Sequence, residues 1–256
     1  MADRLPGDYL NYLQVWQQKV DENPLPDAVE GLRILAVEQP GEFLLVERYV
    51  VGLPESSVRR WLRPAQPEGR FEAFTGPESV SFDGVIDASD LTPDPACDMT
   101  LTPGGASDGG LTAATAGDCA LTTGWDDVTL AADGHLRASV AGESKVFKRA
   151  RWFKGWMGVK RQTWDPEAAD DDWVFMGSFQ IHNEGDIVRL VDEDGTPTGF
   201  SVQLERLVYQ NTRTPVLKLG LIDEDKDKTI HYIWSEPGSR LLGMNLRWFQ
   251  VGLTAL

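Results

Sequence analysis

The residues best suited by type and spacing to do chemistry lie in one short stretch, KVFKRARWFKGWMGVKR, at positions 145–161. It holds seven basic and four aromatic residues and no acid, in a chain whose formal net charge is −16. Because guanidinium and ammonium groups pair with carboxylates and stack on rings, the stretch has the composition of a wall for a flat, anionic ligand. Arg149, Arg151 and Trp156 are its candidate binding residues. Two other interpretations stay open: a surface strand paired with the acidic DPEAADDDW at 165–173, and an anionic membrane surface.

A second candidate group lies on SSVRRWLR at positions 56–63. Arg59 and Arg63 flank Trp61 there, so guanidinium groups and an indole ring share one short segment. Glu47 stands in the otherwise apolar FLLVERYVV, and a carboxylate in such surroundings must reach water, an arginine or a ligand. This combination is typical of a binding site, although a solvated strand face explains the arginines equally well.

The remaining motifs predict neither a metal site nor a required cofactor. Cys97 and Cys119 are too few for a disulfide scaffold, and the three histidines are too scattered for zinc. The two cysteines are interpreted as small buried residues in a reducing cytoplasm. The segments CDMTL at 97–101 and DCALT at 118–122 are strand-like and predict that Cys97 and Cys119 lie on neighbouring strands, where a disulfide is geometrically possible. The acidic DEDKDK lacks the glycine and the glutamate of a calcium loop. No dinucleotide, P-loop or nucleophile-elbow motif occurs.

Length and composition place the chain among globular proteins. At 256 residues, with 41% hydrophobic and 25% charged residues, it can bury a core without staples. The acidic balance argues against nucleic acid, whose binding requires a broad basic surface. No secretory signal and no run of about 18 apolar residues is present, so no membrane span is expected and the predicted location is cytoplasmic.

One helical period precedes a long series of strand signals. Apolar residues, Tyr9 among them, recur at helical spacing between Pro6 and about Asp21, which predicts an N-terminal amphipathic helix. Short β-forming segments follow, separated by turn signals such as PEG and ADG. This pattern predicts an all-β fold, an antiparallel barrel or sandwich of roughly eight to twelve strands. The Gly-rich tract at 101–117 predicts a mobile loop or a long hairpin connection.

Six blocks of the sequence, taken in order, resemble the CpcT/CpeT family of phycobiliprotein chromophore lyases. The blocks span about Pro6 to Gly185 and read GDYLNYLQ, LLVERY, SSVRRWLR, ACDMTL, GDCAL and WVFMGSF. The resemblance implies a calycin-like or lipocalin-like antiparallel β-barrel at 1–185, with 186–256 as additional strands that continue the barrel or pack on it. It also implies an open-chain tetrapyrrole (bilin) as ligand or substrate and a phycobiliprotein as acceptor. Any enzyme activity would be that of a lyase that attaches the bilin to a cysteine through a thioether.

The resemblance also suggests roles for the candidate residues. A bilin is a long conjugated plane with two propionates and with pyrrole nitrogens that become cationic, so it needs aromatic walls, guanidinium groups and a carboxylate. Arg59, Arg63 and Trp61 would supply the first two types, and Glu47 or Asp98 the third.

Two alternatives remain. One is a non-enzymatic carrier of another flat or lipidic anion. The other is an interaction module that uses the C-terminal extension to bind a partner or a second copy of the chain.

Overall fold

The computed structural model of the protein describes residues 4–24, 26–37, 42–77, 87–104, 110–163, 165–209 and 212–256. The chain divides into two compact units, Met1–Arg149 and Ala150–Leu256. This boundary differs from the predicted division at residue 185, because the described strands from Trp152 onward pair among themselves. The centre of the predicted loop, residues 105–109, lies outside the described residues.

The first unit consists of one helix and eleven strands among its described residues. The helix α1 is Tyr12–Val20, and the strands in chain order are β1 (Gly7–Leu10), β2 (Glu30–Val37), β3 (Phe43–Val50), β4 (Leu53–Ala65), β5 (Arg70–Thr75), β6 (Thr92–Pro93), β7 (Met99–Pro103), β8 (Leu111–Thr115), β9 (Asp127–Leu130), β10 (Leu136–Val140) and β11 (Glu143–Arg149). A short 3₁₀ turn, Pro95–Cys97, precedes β7.

Ten of these strands close into an antiparallel barrel. Their order is β4-β3-β2-β1-β11-β10-β9-β8-β7-β5, and β5 pairs back with β4 to complete the ring. The strand β6 pairs with β5 beside the ring. Closure leaves no unpaired edge along most of the sheet, which is the usual solution for many short strands. The predicted all-β antiparallel barrel with an N-terminal helix is thereby confirmed.

Alternation along the strands separates the barrel interior from its outer face. In β3, Leu44 and Val46 join the interior core, whereas Phe43 and Leu45 join a small outer cluster with Trp61. Side chains of a strand point alternately to the two faces, so a continuous apolar run such as FLLV supplies both clusters at once. The same alternation places Glu47 on the outer face of β3.

The helix is shorter than predicted and begins after a strand. Residues Gly7–Leu10 pair with both β2 and β11, so Tyr9 lies in the barrel wall and is fully buried. The side chain of Asn11 then holds the turn into α1, because its Oδ1 accepts the backbone N–H of Glu30 at 2.7 Å. Only Val15 of the helix is buried, so the helix contributes little to the core. No helix in the described ranges is long and apolar enough to cross a membrane.

The second unit contains two four-stranded antiparallel sheets. Its strands are β12 (Trp152–Lys160), β13 (Trp173–His182), β14 (Glu184–Val191), β15 (Pro197–Tyr209), β16 (Thr214–Asp223), β17 (Lys228–Ser235), β18 (Leu241–Asn245) and β19 (Phe249–Ala255). One sheet has the order β13-β12-β19-β18 and the other β14-β15-β16-β17. Inward residues of both sheets, such as Met157 and Leu219, form one buried core.

Candidate functional site

An open groove of about 550 Å³ lies in the barrel unit, where strand β4 separates from β5. The pairing of these two strands runs from Ala65↔Arg70 to Trp61↔Phe74, and the earlier half of β4 lines the groove. Its volume is within the range of about 300–1,000 Å³ that is usual for small-molecule sites. The lining residues that carry the argument below are Glu55, Ser57, Arg59, Arg60, Trp61 and Ala120.

Arg59 is held in the groove by the carboxylate of Glu47. The two residues are direct partners across β3 and β4, and Arg59 Nε donates to Glu47 Oε1 at 2.9 Å. The hydroxyl of Ser57 donates to the same oxygen at 2.6 Å. The Glu47 side chain is 7% exposed and the Arg59 side chain 30% exposed, so water reaches the guanidinium far more than the carboxylate. The buried carboxylate therefore finds an arginine, one of the three partners that its sequence context predicts.

Arg60 makes a second ion pair beside the first. Its Nε lies 2.6 Å from Oδ2 of Asp94, just before the 3₁₀ turn, and its Nη1 donates to the carbonyl of Arg59 at 2.7 Å. The lining itself holds two guanidinium groups and the carboxylate of Glu55, and the two arginines are paired with Glu47 and Asp94, which are not among the lining residues. It is therefore a site of mixed charge rather than a cationic pocket.

The apolar wall of the groove includes Trp61. This residue is 3% exposed and packs in the outer cluster with Phe43 and Phe74, whose rings meet edge to face at 5.9 Å. Trp61 is thus fixed by packing and presents only part of its surface to the groove. A rigid aromatic wall of this kind orients a planar ligand at small entropic cost.

Among the predicted site residues, Arg63 and Asp98 lie outside the groove. Arg63 pairs with Glu72 at 2.5 Å on the barrel surface, where both side chains are about half exposed. Asp98 accepts the backbone N–H of Ala73 at 2.9 Å and so fastens the segment before β7 to β5. In this structure Asp98 has a structural contact, and Arg63 belongs to a solvated strand face.

The barrel interior has a separate, almost entirely apolar cavity of about 60 Å³. Leucine and other aliphatic side chains line it, among them Leu32, Leu62 and Leu136. It is several times smaller than the sites that take drug-sized ligands. The interior of the barrel is therefore a packed core with a small void.

A network that sequence reasoning missed occupies one end of the barrel. Arg48 contacts Glu30 at 3.0 Å, and Glu30 also pairs with Lys145 at 2.7 Å. The Arg48 guanidinium lies 4.3 Å from the ring centroid of Trp125, and its Nη1 donates to the carbonyl of Thr123 at 2.7 Å. These partners are up to 115 positions apart in the chain, so no local pattern indicates them.

The basic stretch at 145–161 is divided between the two units, with residues 145–149 in the first and 150–161 in the second. In the barrel unit, Arg149 donates to the carbonyl of Pro6 at 2.6 Å. In the second unit, Arg151 donates to the carbonyl oxygens of Pro237 and Ser239, and the exposed ring of Trp156 lies over Gly252. None of Arg149, Arg151 and Trp156 is among the groove residues.

The surface-strand interpretation describes the end of this stretch. Lys160 pairs with Asp170 at 2.7 Å, and Arg161 pairs with Asp172 at 2.9 Å. The Lys160 contact holds the pKa of the Asp170 carboxyl below its usual value. The acidic segment therefore neutralises the last two basic residues of the stretch.

The two cysteines form a disulfide, Cys97–Cys119, with Cα atoms 4.7 Å apart. The expected positions on neighbouring strands are wrong: Cys97 ends the 3₁₀ turn before β7, and Cys119 lies in the turns after β8. The strands β7 and β8 do pair directly, which brings the two flanking segments together. The bond therefore joins two connecting segments at the end of a hairpin.

Comparison of the chain with protein-family models, with curated proteins and with solved structures gave no match. Within the described part of the chain, no group of three or more His, Cys, Asp or Glu side chains is arranged to hold a metal ion. The function must therefore be argued from the groove itself.

Proposed function

We propose that the protein is a binding protein for an open-chain tetrapyrrole, which it holds in the groove between β4 and β5. The observation that carries the proposal is the mixed charge of a 550 Å³ groove that also has a fixed aromatic wall. A bilin has carboxylates and protonatable ring nitrogens on one flat skeleton, so it needs both kinds of charged partner in one site.

The residues divide this task by charge. Arg59 and Arg60 would pair with the propionates, since charge-assisted hydrogen bonds from guanidinium groups to carboxylates are strong and directional. Glu55 would face the ring nitrogens, and Trp61 would pack against the conjugated plane. Glu47 and Asp94 act as positioning residues, because each fixes one guanidinium by an ion pair.

The same features speak against a lipidic anion. A fatty acyl chain needs a deep apolar channel, and the apolar cavity of the barrel measures only about 60 Å³. A simple anion would also meet the carboxylate of Glu55 in the groove, and both arginines there are already paired with carboxylates. A ligand of mixed charge is the better complement.

A lyase activity is the finer form of this proposal. The attacking thiol would belong to a cysteine of a phycobiliprotein acceptor, so the groove would need only to orient the bilin and to place a proton donor or acceptor near it. Glu55 is the groove carboxylate without an ion-pair partner among the described residues, and it is the candidate for that role.

The proposal is tested by absorbance titration of the full chain with phycocyanobilin and with its dimethyl ester. We expect a shifted and intensified long-wavelength band with the free acid. The ester should bind about 10- to 100-fold more weakly, which corresponds to about 1.5–3 kcal/mol for a lost charge-assisted hydrogen bond.

The matched pair of protein variants is Arg60→Ala and Arg63→Ala, which differ in whether the arginine lines the groove. Arg60→Ala should weaken binding by a similar factor, and Arg63→Ala should leave it unchanged. Equal binding of the acid and the ester, or equal effects of the two variants, would contradict the proposed recognition of propionates in this groove.

A further inference from the structure

The disulfide joins the two segments that border the groove. Cys97 ends a turn that starts one residue after Asp94, the partner of Arg60. Cys119 precedes Ala120, which lines the groove. We call residues 116–126, between β8 and β9, the plug loop. The bond thus ties the plug loop to the segment that positions Arg60.

The plug loop fills one end of the barrel with two buried side chains, Leu121 and Trp125. Trp125 packs against Phe147 with ring centroids 5.1 Å apart, under the guanidinium of Arg48. The loop therefore completes the barrel core and a wall of the groove at the same time.

Few other interactions hold this loop in place. In the described part of the chain, backbone amides at 118–125 donate only within the loop, and the amide of Asp126 at its end donates to the carbonyl of Ser139 on β10 at 2.7 Å. The carbonyls of Leu121 and Thr123 accept hydrogen bonds from the Arg48 side chain of the barrel. The amides of Ala116 and Gly117 donate to the segment that carries Cys97, so these hydrogen bonds are expected to weaken when the disulfide is reduced.

The buried indole of Trp125 destabilises the position that the plug loop has in this structure, which we call closed. Trp125 is 8% exposed, and its Nε1 has no hydrogen-bond partner among the described residues. A buried donor without an acceptor favours the open state, in which water can accept its hydrogen bond. The covalent tie opposes this tendency, and local opening is expected where it is removed.

We infer that the Cys97–Cys119 disulfide is a redox switch for the groove, an inference that rests on the proposed function. In the oxidised protein the plug loop is closed and the groove is formed. Reduction releases the loop, removes the wall at Ala120 and loosens the Asp94 contact that orients Arg60, so ligand binding weakens.

The reducing step requires a dithiol as co-reactant. One thiolate of the dithiol attacks a sulfur of the disulfide and forms a mixed disulfide, and its second thiolate then displaces the protein sulfur. The S–S bond of the protein breaks, both cysteines end as thiols, and the dithiol ends as a disulfide after transferring two electrons. Both cysteines are at most 2% exposed, so attack requires opening of the loop. By linkage, a ligand that closes the groove should slow the reduction.

The first measurement is hydrogen exchange by mass spectrometry on the full chain without ligand, with and without dithiothreitol. We expect the amides of 116–126 to exchange at least ten-fold faster after reduction, with β10 and β11 little changed. The double variant Cys97→Ser/Cys119→Ser should show the fast exchange of the reduced protein, and dithiothreitol should not change its exchange rates. If this variant does not fold, the reduced wild-type protein gives the same comparison.

The second measurement is the phycocyanobilin titration of the oxidised and reduced proteins, with an expected loss of affinity of about ten-fold or more on reduction. Unchanged exchange of 116–126 would overturn the switch whatever the ligand does. Faster exchange with unchanged affinity would show that the loop opens without governing the groove, which overturns the regulatory role. An oxidised protein that binds no bilin would overturn the proposed function, and the exchange data would still decide whether the disulfide holds the loop.

Discussion

The ion pair between Glu47 and Arg59 gives the sharpest prediction about stability. Arg59→Ala removes the guanidinium and leaves the Glu47 carboxylate, 7% exposed, with the Ser57 hydroxyl as its described hydrogen-bond donor and with Arg33, its neighbour across β2 and β3, as the other described positive charge that acts on it. Breaking a fully buried pair in this way costs about 3–5 kcal/mol. Because Arg59 is itself 30% exposed, water can partly replace it, and we expect a loss of about 2 kcal/mol.

Hydrogen exchange of the β3 and β4 peptides in the full chain measures this loss for the barrel unit alone. A change of about 2 kcal/mol in opening free energy corresponds to roughly 30-fold faster exchange. The matched control is Arg63→Ala, four residues along the same strand and on the same face. Its pair with Glu72 is about half exposed on both sides, so the expected loss is about 0–1 kcal/mol.

A second variant separates the lost pair from lost packing. Replacement of both groups, in Glu47→Gln/Arg59→Met, removes the uncompensated charge and should restore most of the exchange protection. If Arg59→Ala and Arg63→Ala had the same small effect, or if the double variant were no better than Arg59→Ala, the argument that Glu47 is a buried charge dependent on Arg59 would be refuted.

Three further predictions concern other parts of the molecule. In the second unit, Gly155→Ala should cost about 1–3 kcal/mol, measured by hydrogen exchange of β12, because a Cβ there would overlap buried side chains, whereas Gly177→Ala meets nothing within 4 Å and should be neutral. Arg206→Ala should cost about 3–5 kcal/mol in the same assay, because it removes the ion-pair partner of the fully buried Glu184 carboxylate. In the barrel unit, the hydrogen bond from Arg137 lowers the pKa of Asp133 to about 2, and an NMR titration of the Asp133 carboxyl should measure this value. The small contribution of the pair to stability should be present above about pH 4 and lost as the pH falls toward 2.

The strands were the most predictable part of the fold. FLLVERYVV at 43–51 corresponds to β3, and the segment at 173–181 corresponds to β13, because runs of β-formers between turn residues specify strands locally. The helical spacing that included Tyr9 misled the interpretation, since pairing of Gly7–Leu10 with two distant strands overrides the local period. The predicted strand positions of Cys97 and Cys119 were wrong for a related reason. The disulfide and the contacts of the connecting segments determine the conformation there, and the local sequence does not.

The candidate site was predictable only where its partners are close in sequence. Glu47 and Arg59 lie on consecutive strands, so a carboxylate in an apolar run and an arginine-rich neighbour suggest each other. Arg60 and Asp94 are separated by 34 positions, and the contact depends on where the barrel wall opens. The basic stretch at 145–161 could not be divided correctly from the sequence. Basic and aromatic residues continue without a break across Arg149 and Ala150, so its composition does not indicate the boundary between the two units.

The position of β1 in the ring has a consequence for synthesis on the ribosome. This strand pairs with β11, so residues as early as Tyr9 must wait for Arg149 before the wall is complete. At about 5–20 residues per second, the delay is roughly 7–28 s. During that interval the nascent chain carries exposed strand edges and apolar side chains, which are the features that chaperones bind. The barrel should therefore depend somewhat more on such assistance during translation than the second unit, in which Phe153 pairs with Ala255 after about 100 further residues.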